Sequence, residues 1–454
     1  MTMIEALRFT NFKSWSRANL ACGQITGLFG TNSSGKTSLI QFLLMLKQTK
    51  DATDRALSLD LNGDYVKLGT MRDVIHGHDE SREVDWRIKF GLPQELVLRN
   101  PSGGVVSRSR KITLRAKVDI QAMAPRSRSL SYRLGNARFV LSGRKADENS
   151  FDLRAESAVE GEVVDFKFLR TQGRKWQLPP SIKSYAFPDQ ARTYYQNASF
   201  LSDLEAAYEE AIDRIYYLGP LRVYPERDYL WARSRPTDVG QRGEKTIDAI
   251  LAATVAGEQR NLRPGAHYRP FQAVIAHWLR EMGLIENFSV VELAEGSNRW
   301  QAKVQTRRGA SEVLLTDVGF GVSQVLPVVT LLQYVPEGST VILEQPEIHL
   351  HPLAQAGLAD VIIQAAVHRN VQVILESHSE HLLLRLQRRM AEQAIASENV
   401  KLYFCDAPSG SSIMTPLEVD TYGNIQNWPD RFMGDAFIET AEAELARLHR
   451  QQSN

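Results

Sequence analysis

One octapeptide narrows the folds open to this 454-residue chain more than any other stretch: Gly30-Thr31-Asn32-Ser33-Ser34-Gly35-Lys36-Thr37. Its two glycines let the backbone curl so that successive N–H groups point inward. The lysine and threonine at its end add a cation and a hydroxyl. That spacing is the phosphate-cradling P-loop. In such a loop the peptide N–H groups and the start of the following helix hold phosphate oxygens. Lys36 reaches the outer phosphates, and the Thr37 hydroxyl ligates Mg²⁺. The flanks fit this reading. Residues 24–29 have the apolar character of a short buried strand, and 38–47 the broad apolar face of a helix. Strand, loop and helix are therefore expected in that order, with residues 30–37 and Ser38 contacting a nucleotide. An ordinary Gly/Ser-rich turn lacks those flanks.

Composition bounds the rest. With 43% hydrophobic and 24% charged residues the chain reads as an ordinary globular protein, long enough for two or three domains. No apolar run approaches the ~18–20 residues of a membrane helix, and no signal-peptide pattern opens the chain. A cytoplasmic protein with no membrane partner is expected. Two cysteines, Cys22 and Cys405, are too few for a disulfide scaffold or a zinc ribbon.

Net charge is only +1, yet residues 106–145 hold eleven Arg and Lys against the single acid Asp119. Period-two alternation over 84–90, 111–120 and 129–141 predicts an antiparallel sheet with one wet face. Its basic residues, with Arg108, Arg110, Lys111 and Arg115 foremost, are candidates to grip DNA. A merely solvated face is the alternative, and alternation alone does not choose. Two other stretches stay open in the same way. Lys13 and Trp15, some twenty residues before the P-loop, are candidates for base and ribose contacts, or else form a surface turn with an aromatic tucked under. Residues 216–227, interrupted by Pro220 and Pro225, lie against the nucleotide or an interface, or simply turn a corner.

The second half of the chain supplies what a nucleotide hydrolase needs beyond its loop. Residues 339–344 read as a buried strand ending in Glu344, the position from which an acid holds Mg²⁺ directly or through water. Residues 371–375 read as another, leading into Glu376-Ser377-His378, where the histidine can sense a γ-phosphate. Asp317-Val318-Gly319-Phe320-Gly321-Val322-Ser323-Gln324 precedes an apolar stretch that reads as a helix, and forms a second anion-facing helix start. One chain already has a P-loop, so Gly321 and Ser323 point to phosphate contact in trans across a dimer.

Together the P-loop, the glycine-bearing Ser-Gln segment, Leu343-Glu344-Gln345-Pro346-Glu347-Ile348-His349-Leu350-His351-Pro352 and Glu376-Ser377-His378-Ser379 resemble the ABC-type ATPases of the RecF/SMC and OLD-like group. Residues 416–431 are similar to a small domain of unknown function that ends some members. The resemblance implies an α/β fold: a P-loop ATPase head with a mixed sheet flanked by helices, plus an inserted antiparallel β-rich region. It also implies ATP and Mg²⁺ as ligands and a homodimer or higher even oligomer that sandwiches ATP. In that frame Thr37 and Glu344 hold Mg²⁺, His378 is the switch histidine, and Ser323 acts across the interface.

The expected division is 1–83, the N-terminal lobe; 84–200, the basic insertion; 201–310, a helical lid and hairpin; 311–415, the C-terminal lobe; and 416–454, a small end segment. One departure stands out. The group usually has Asp-Glu before the proline, whereas here it is Glu344-Gln345. An amide orients water but accepts no proton, so either Glu347 or another group is the base, or hydrolysis is slow. His349, His351, His378 and His381 invite a zinc reading, but phosphate sensing and helix-start packing account for them. Asp406 and Asp420 do not make the Asp-x-Asp pair of an appended nuclease. The resemblance to stand-alone ATPase subunits of anti-phage defence systems, such as those of the Septu and PARIS types, then implies a sensor or scaffold for an effector encoded alongside, a nuclease being the expected class. A RecF-type DNA-binding repair protein is the alternative.

Overall fold

The structure, a computed structural model, describes residues 3–99, 103–144, 147–159, 166–173, 177–263 and 265–429, with Leu445, Arg447 and Arg450 beyond them. Its centre is built from short apolar runs that are buried on both faces, as parallel strands flanked by helices must be. Six strands lie in the order Ile413–Leu417, Val400–Asp406, Ile25–Gly30, Gln372–Glu376, Thr340–Glu344 and Ile215–Leu218. All neighbours are parallel except the edge strand Ile413–Leu417. Alternation along each strand divides the molecule into two cores. Leu28, Ile342 and Ile374 face the core of the helix Lys36–Asp51, while Val341, Leu343, Val373 and Leu375 face that of the helices Phe320–Tyr334 and Pro352–His368. This is the expected α/β fold, a mixed sheet flanked by helices with an antiparallel β-rich region beside it.

The first core is roofed by a seven-stranded antiparallel sheet, ordered Trp15–Ala21, Met3–Phe12, Val84–Arg99, Val105–Gln121, Ala124–Leu134, Ala137–Arg144 and Asp147–Ser157. The basic region does not stand apart from the N-terminal lobe. Val84–Arg99 pairs directly with Met3–Phe12, with Leu7 opposite Ile88 and Phe9 opposite Trp86, so one sheet runs through residue 83. Its inner face is apolar: Phe9 stacks on Phe42 of the P-loop helix with ring centroids 4.4 Å apart, and Trp86 meets Phe42 edge-on. The outer face is open to solvent.

That alternation corrects the proposed grip. Along Val105–Gln121 the residues Ile112, Leu114, Ala116 and Val118 are buried, so Lys111 and Arg115 point outward. Arg108 and Arg110 have the alternate parity along the strand and are exposed too, in the stretch at and beyond the register shift between Gly91 and Leu96 of the neighbouring strand. The four basic residues therefore do not share one face. Lys145 lies outside the described residues, as does most of the segment after residue 429.

The hairpin expected within 201–310 is formed by Asn287–Glu292 and Arg299–Gln305. An amphipathic helix, Phe271–Glu281, precedes that hairpin within the same expected region.

Candidate nucleotide site

The site lies at the carboxyl ends of the parallel strands, where open α/β sheets bind ligands. The P-loop connects Ile25–Gly30 to the helix Lys36–Asp51. Two glycines are required there. Gly30 has φ 131° and Gly35 φ 90°. A Cβ on Gly30 would stand 1.9 Å from the Cys405 carbonyl oxygen, and one on Gly35 only 2.3 Å from the Ser412 hydroxyl. Neighbouring segments thus press the loop into shape from behind.

Trp15 is part of that support. It is fully buried, and its indole N–H donates to the Gly35 carbonyl at 3.0 Å. Ser412 and Ser14 hold each other beside it at 2.6 Å. Trp15 therefore cannot stack on a base, which corrects its assignment as a nucleotide contact: the ring is spent packing under the loop. Lys13 is half-buried and donates to Gln41 of the P-loop helix at 2.6 Å; burial lowers its pKa.

Thr31, Asn32 and Ser33 form the exposed crest of the loop, and Ser34 is buried beneath it. The Lys36 ammonium donates to the carbonyls of Gly30 at 3.1 Å and Thr31 at 2.6 Å and to the Ser34 hydroxyl at 3.4 Å. Burial lowers its pKa, and the charge of Glu376 works in the other direction. The Ser38 amide donates to the Gly35 carbonyl at 3.0 Å and closes the first helical turn. Thr31 also donates to Asp406 at 3.3 Å.

Three carboxylates gather behind the loop. The one that meets Thr37 is Glu376, which accepts from its hydroxyl at 2.9 and 3.2 Å. Sequence reading assigned Glu344 beside Thr37 and overlooked Glu376. The sheet order explains the difference, because Gln372–Glu376 lies between the P-loop strand and Thr340–Glu344. Register sets Glu344 directly opposite Glu376. Glu344 accepts from the Tyr217 hydroxyl at 3.0 Å. Burial, then the charge of Glu376, pushes its pKa up to about 7. Glu376 is raised by burial too, although its bond from Thr37 and the charge of Lys36 oppose the shift.

Glu347 accepts from the Ser377 hydroxyl at 2.8 Å and the His378 amide at 2.7 Å, so it ties the two strand-end loops together. Its pKa is raised by burial, and its second oxygen has no hydrogen-bond partner among the described residues. His378 is an exposed residue, yet partial desolvation of its imidazole, and then the charge of Lys36, lowers its pKa. Gln345 sits in the left-handed region with φ 43°, and its amide donates to the Glu376 carbonyl at 2.8 Å.

Residues 216–227 reach this site. Ile215–Leu218 pairs with Thr340–Glu344 and delivers Tyr217. Arg222, buried, donates to the Glu344 and Gln345 carbonyls at 3.3 and 3.4 Å. Burial lowers its pKa to about 10. Tyr217 and Arg222 were missed as site residues because the proline-flanked segment did not reveal a strand.

The helix Phe320–Tyr334 begins at exposed Gly319. Ser323 lies in its first turn, is nearly buried, and donates to the Phe320 carbonyl at 2.8 Å. A side chain on Gly321 would crowd the His349 carbonyl at 3.0 Å. Tyr224, Phe320 and His349 form an aromatic chain there, with centroids 5.2 and 4.8 Å apart, and Tyr224 is 76% exposed. His351 caps the helix that Pro352 opens. Among the described residues no three His, Cys, Asp or Glu side chains converge as a metal cage. Magnesium needs no such cage, because it takes one or two carboxylates and fills its other positions with phosphate oxygens and water. A buried pair of facing carboxylates, one of them holding the Thr37 hydroxyl, fits it.

A family model described as "AAA domain, putative AbiEii toxin, Type IV TA system" matches residues 25–385. A second, "Protein of unknown function (DUF3696)", matches 395–442. No curated protein matches the sequence. Among solved structures, an SMC head bound to the C-winged-helix domain of ScpA is similar at 11% identity and TM-score 0.46, covering 92% of this chain and 98% of that one. The SMC head domain from Thermotoga maritima is similar at 10% identity and TM-score 0.40, covering 92% and 99%. An Smc head from Pyrococcus furiosus with an extended coiled coil, bound to the C-terminal domain of ScpA, is similar at 11% identity and TM-score 0.42, covering 99% and 100%. No described helix is long and apolar enough to cross a membrane.

Proposed function

Since the chain belongs to this AbiEii-type AAA-domain family, we propose that it binds ATP with Mg²⁺, hydrolyses it slowly, and self-associates around it. The ATP-bound assembly then acts as the sensor or scaffold that controls a separate effector, a nuclease being the expected class, in anti-phage defence. The observation that carries the nucleotide reading is the contact of Thr37 with Glu376 beside Glu344, directly behind a P-loop whose lysine interacts electrostatically with Glu376. Mg²⁺, when bound, neutralises phosphate charge as it shifts during transfer. The chain's own residues do the rest. The loop amides and Lys36 hold phosphate oxygens, Glu376 orients the Thr37 hydroxyl, and Tyr217 and Arg222 fix the side chain and backbone of the Glu344–Gln345 corner.

Slow turnover is supported by the acids available. Gln345 accepts no proton, and Glu347 already accepts two hydrogen bonds that join the strand-end loops. Assembly around ATP is supported by the exposed helix start at Gly319 and the aromatic chain beside it, which offer a partner's phosphates an N-terminal dipole and an apolar contact. Ser323 and His378 are the residues proposed to read the γ-phosphate, Ser323 from the opposite protomer.

Light scattering of the wild type and Lys36→Ala, with and without ATP–Mg²⁺, tests the assembly. ATP should increase the mass of the wild type only. Steady-state hydrolysis above about 10 s⁻¹, the enzyme median, would overturn slow turnover. DNA cutting by the chain alone, dependent on Mg²⁺ and indifferent to Lys36, would overturn the two-component reading.

A further inference from the structure

The outer face of the seven-stranded sheet takes no part in the nucleotide site. Its strand register sets like charges abreast. Arg8 lies opposite Arg87, and Arg87 opposite Arg115, on three successive strands. Two residues along, Lys89 faces Thr113, Thr113 faces Arg133, and Arg133 faces Arg138. These rungs are about 7 Å apart along the strands, with neighbouring strands about 4.8 Å apart. They floor an open trough of about 510 Å³, extended by Lys111, and no acid is among the described residues lining it.

Cross-strand like charges destabilise a sheet, and the flanking acids offset only part of this. Glu5 pairs with Lys89 and Lys111 at 2.8 Å each, and Asp85 with Arg115 at 2.6 Å. Glu156, opposite Arg138, is engaged by Arg154. Arg8, Arg87 and Arg138 have no hydrogen-bond or ion-pair partner among the described residues. Mutual repulsion is felt at Arg87, whose pKa is lowered by burial and then by Arg115, Arg138 and Arg8.

We propose that this trough is a binding surface for the phosphate backbone of double-stranded nucleic acid. Arginine outnumbers lysine in it, and the planar guanidinium matches phosphate oxygens two at a time. Aromatic residues are absent from the described lining, whereas single strands are held by stacking on such rings. The lining also lacks the buried aromatic or aliphatic anchor that centres a protein interface and the apolar face that enters a lipid surface. Recognition by charge alone is independent of base sequence. Arg108 and Arg110 belong to the other parity and take no part.

The test is fluorescence anisotropy of the full chain, without nucleotide, against a labelled duplex of arbitrary sequence over a salt series. Log affinity should fall linearly with log salt. Arg87→Glu with Arg138→Glu should weaken binding at least about tenfold and flatten the slope by about two phosphates' worth. Arg87→Gln with Arg138→Gln, which breaks no ion pair, should shift both in the same direction by less. Arg108→Glu with Arg110→Glu should leave the slope unchanged. Salt-independent binding, equal loss in the 108/110 variant, or stronger binding of polyglutamate than of duplex would overturn the proposal. Because ATP is left out, failure here is separable from failure of the ATP-driven assembly.

Discussion

The two sheets of this protein each bring like charges side by side and deal with them oppositely. At the end of the parallel sheet, Glu344, Glu347 and Glu376 are buried, and the strain appears as raised pKa values. On the antiparallel sheet Arg8, Arg87 and Arg115 lie abreast at the surface, where water and salt screen them. Burial converts repulsion into proton uptake, whereas exposure converts it into affinity for a counter-charge. The first arrangement suits a site whose acids await a divalent cation, and the second suits a surface that meets a polyanion.

The largest effect expected from breaking the acid end comes from Lys36→Ala. It removes the cation that balances Glu376 and should abolish ATP-driven assembly outright, as read by light scattering. Glu376→Gln keeps the shape but weakens the hold on the Thr37 hydroxyl. Losing such a supporting contact should lower hydrolysis about 10- to 100-fold, measured as steady-state phosphate release. An unchanged rate would return the leading role to Glu344.

A third expectation concerns pH. The folded pKa of Glu344, about 7, lies above its unfolded value near 4.3. The folded state therefore holds the extra proton between those values, and stability is lost as pH rises through the window. By linkage the apo protein should lose up to about 3 kcal/mol between about pH 4 and about pH 8. Glu344→Gln should flatten that profile in calorimetric melts. If wild type and variant change in parallel, Glu344 is not the group responsible.

Trp15→Phe is the smallest change. It removes one hydrogen bond to the Gly35 carbonyl, keeps most of the ring packing, and should cost about 1 kcal/mol, read from denaturant midpoints. A large loss of ATP affinity with little loss of stability would restore Trp15 to the binding surface.

How much of the site was legible follows from the reach of each signal. The P-loop, the strand-end Glu344 and the Glu-Ser-His run are contiguous and fixed in spacing, so they could be found in the chain. Glu376 was visible in that run, but its contact with Thr37 depends on which strand lies beside the P-loop. Trp15 reads equally well as a stacking platform or a prop until its burial is known. Arg108, Arg110, Lys111 and Arg115 form one run of charge, yet two point one way and two the other, because pleating alternates side chains.

The sequence by itself determined the phosphate-cradling loop, the alternating sheet and the apolar strands ending in acids, since these depend on local spacing and backbone freedom. The tertiary structure alone decided the pairing of Thr37 with Glu376, the delivery of Tyr217 and Arg222, and the alignment of Arg8 with Arg87 and Arg115. Strand order and register set those distances, and both are chosen by the packing of the whole chain.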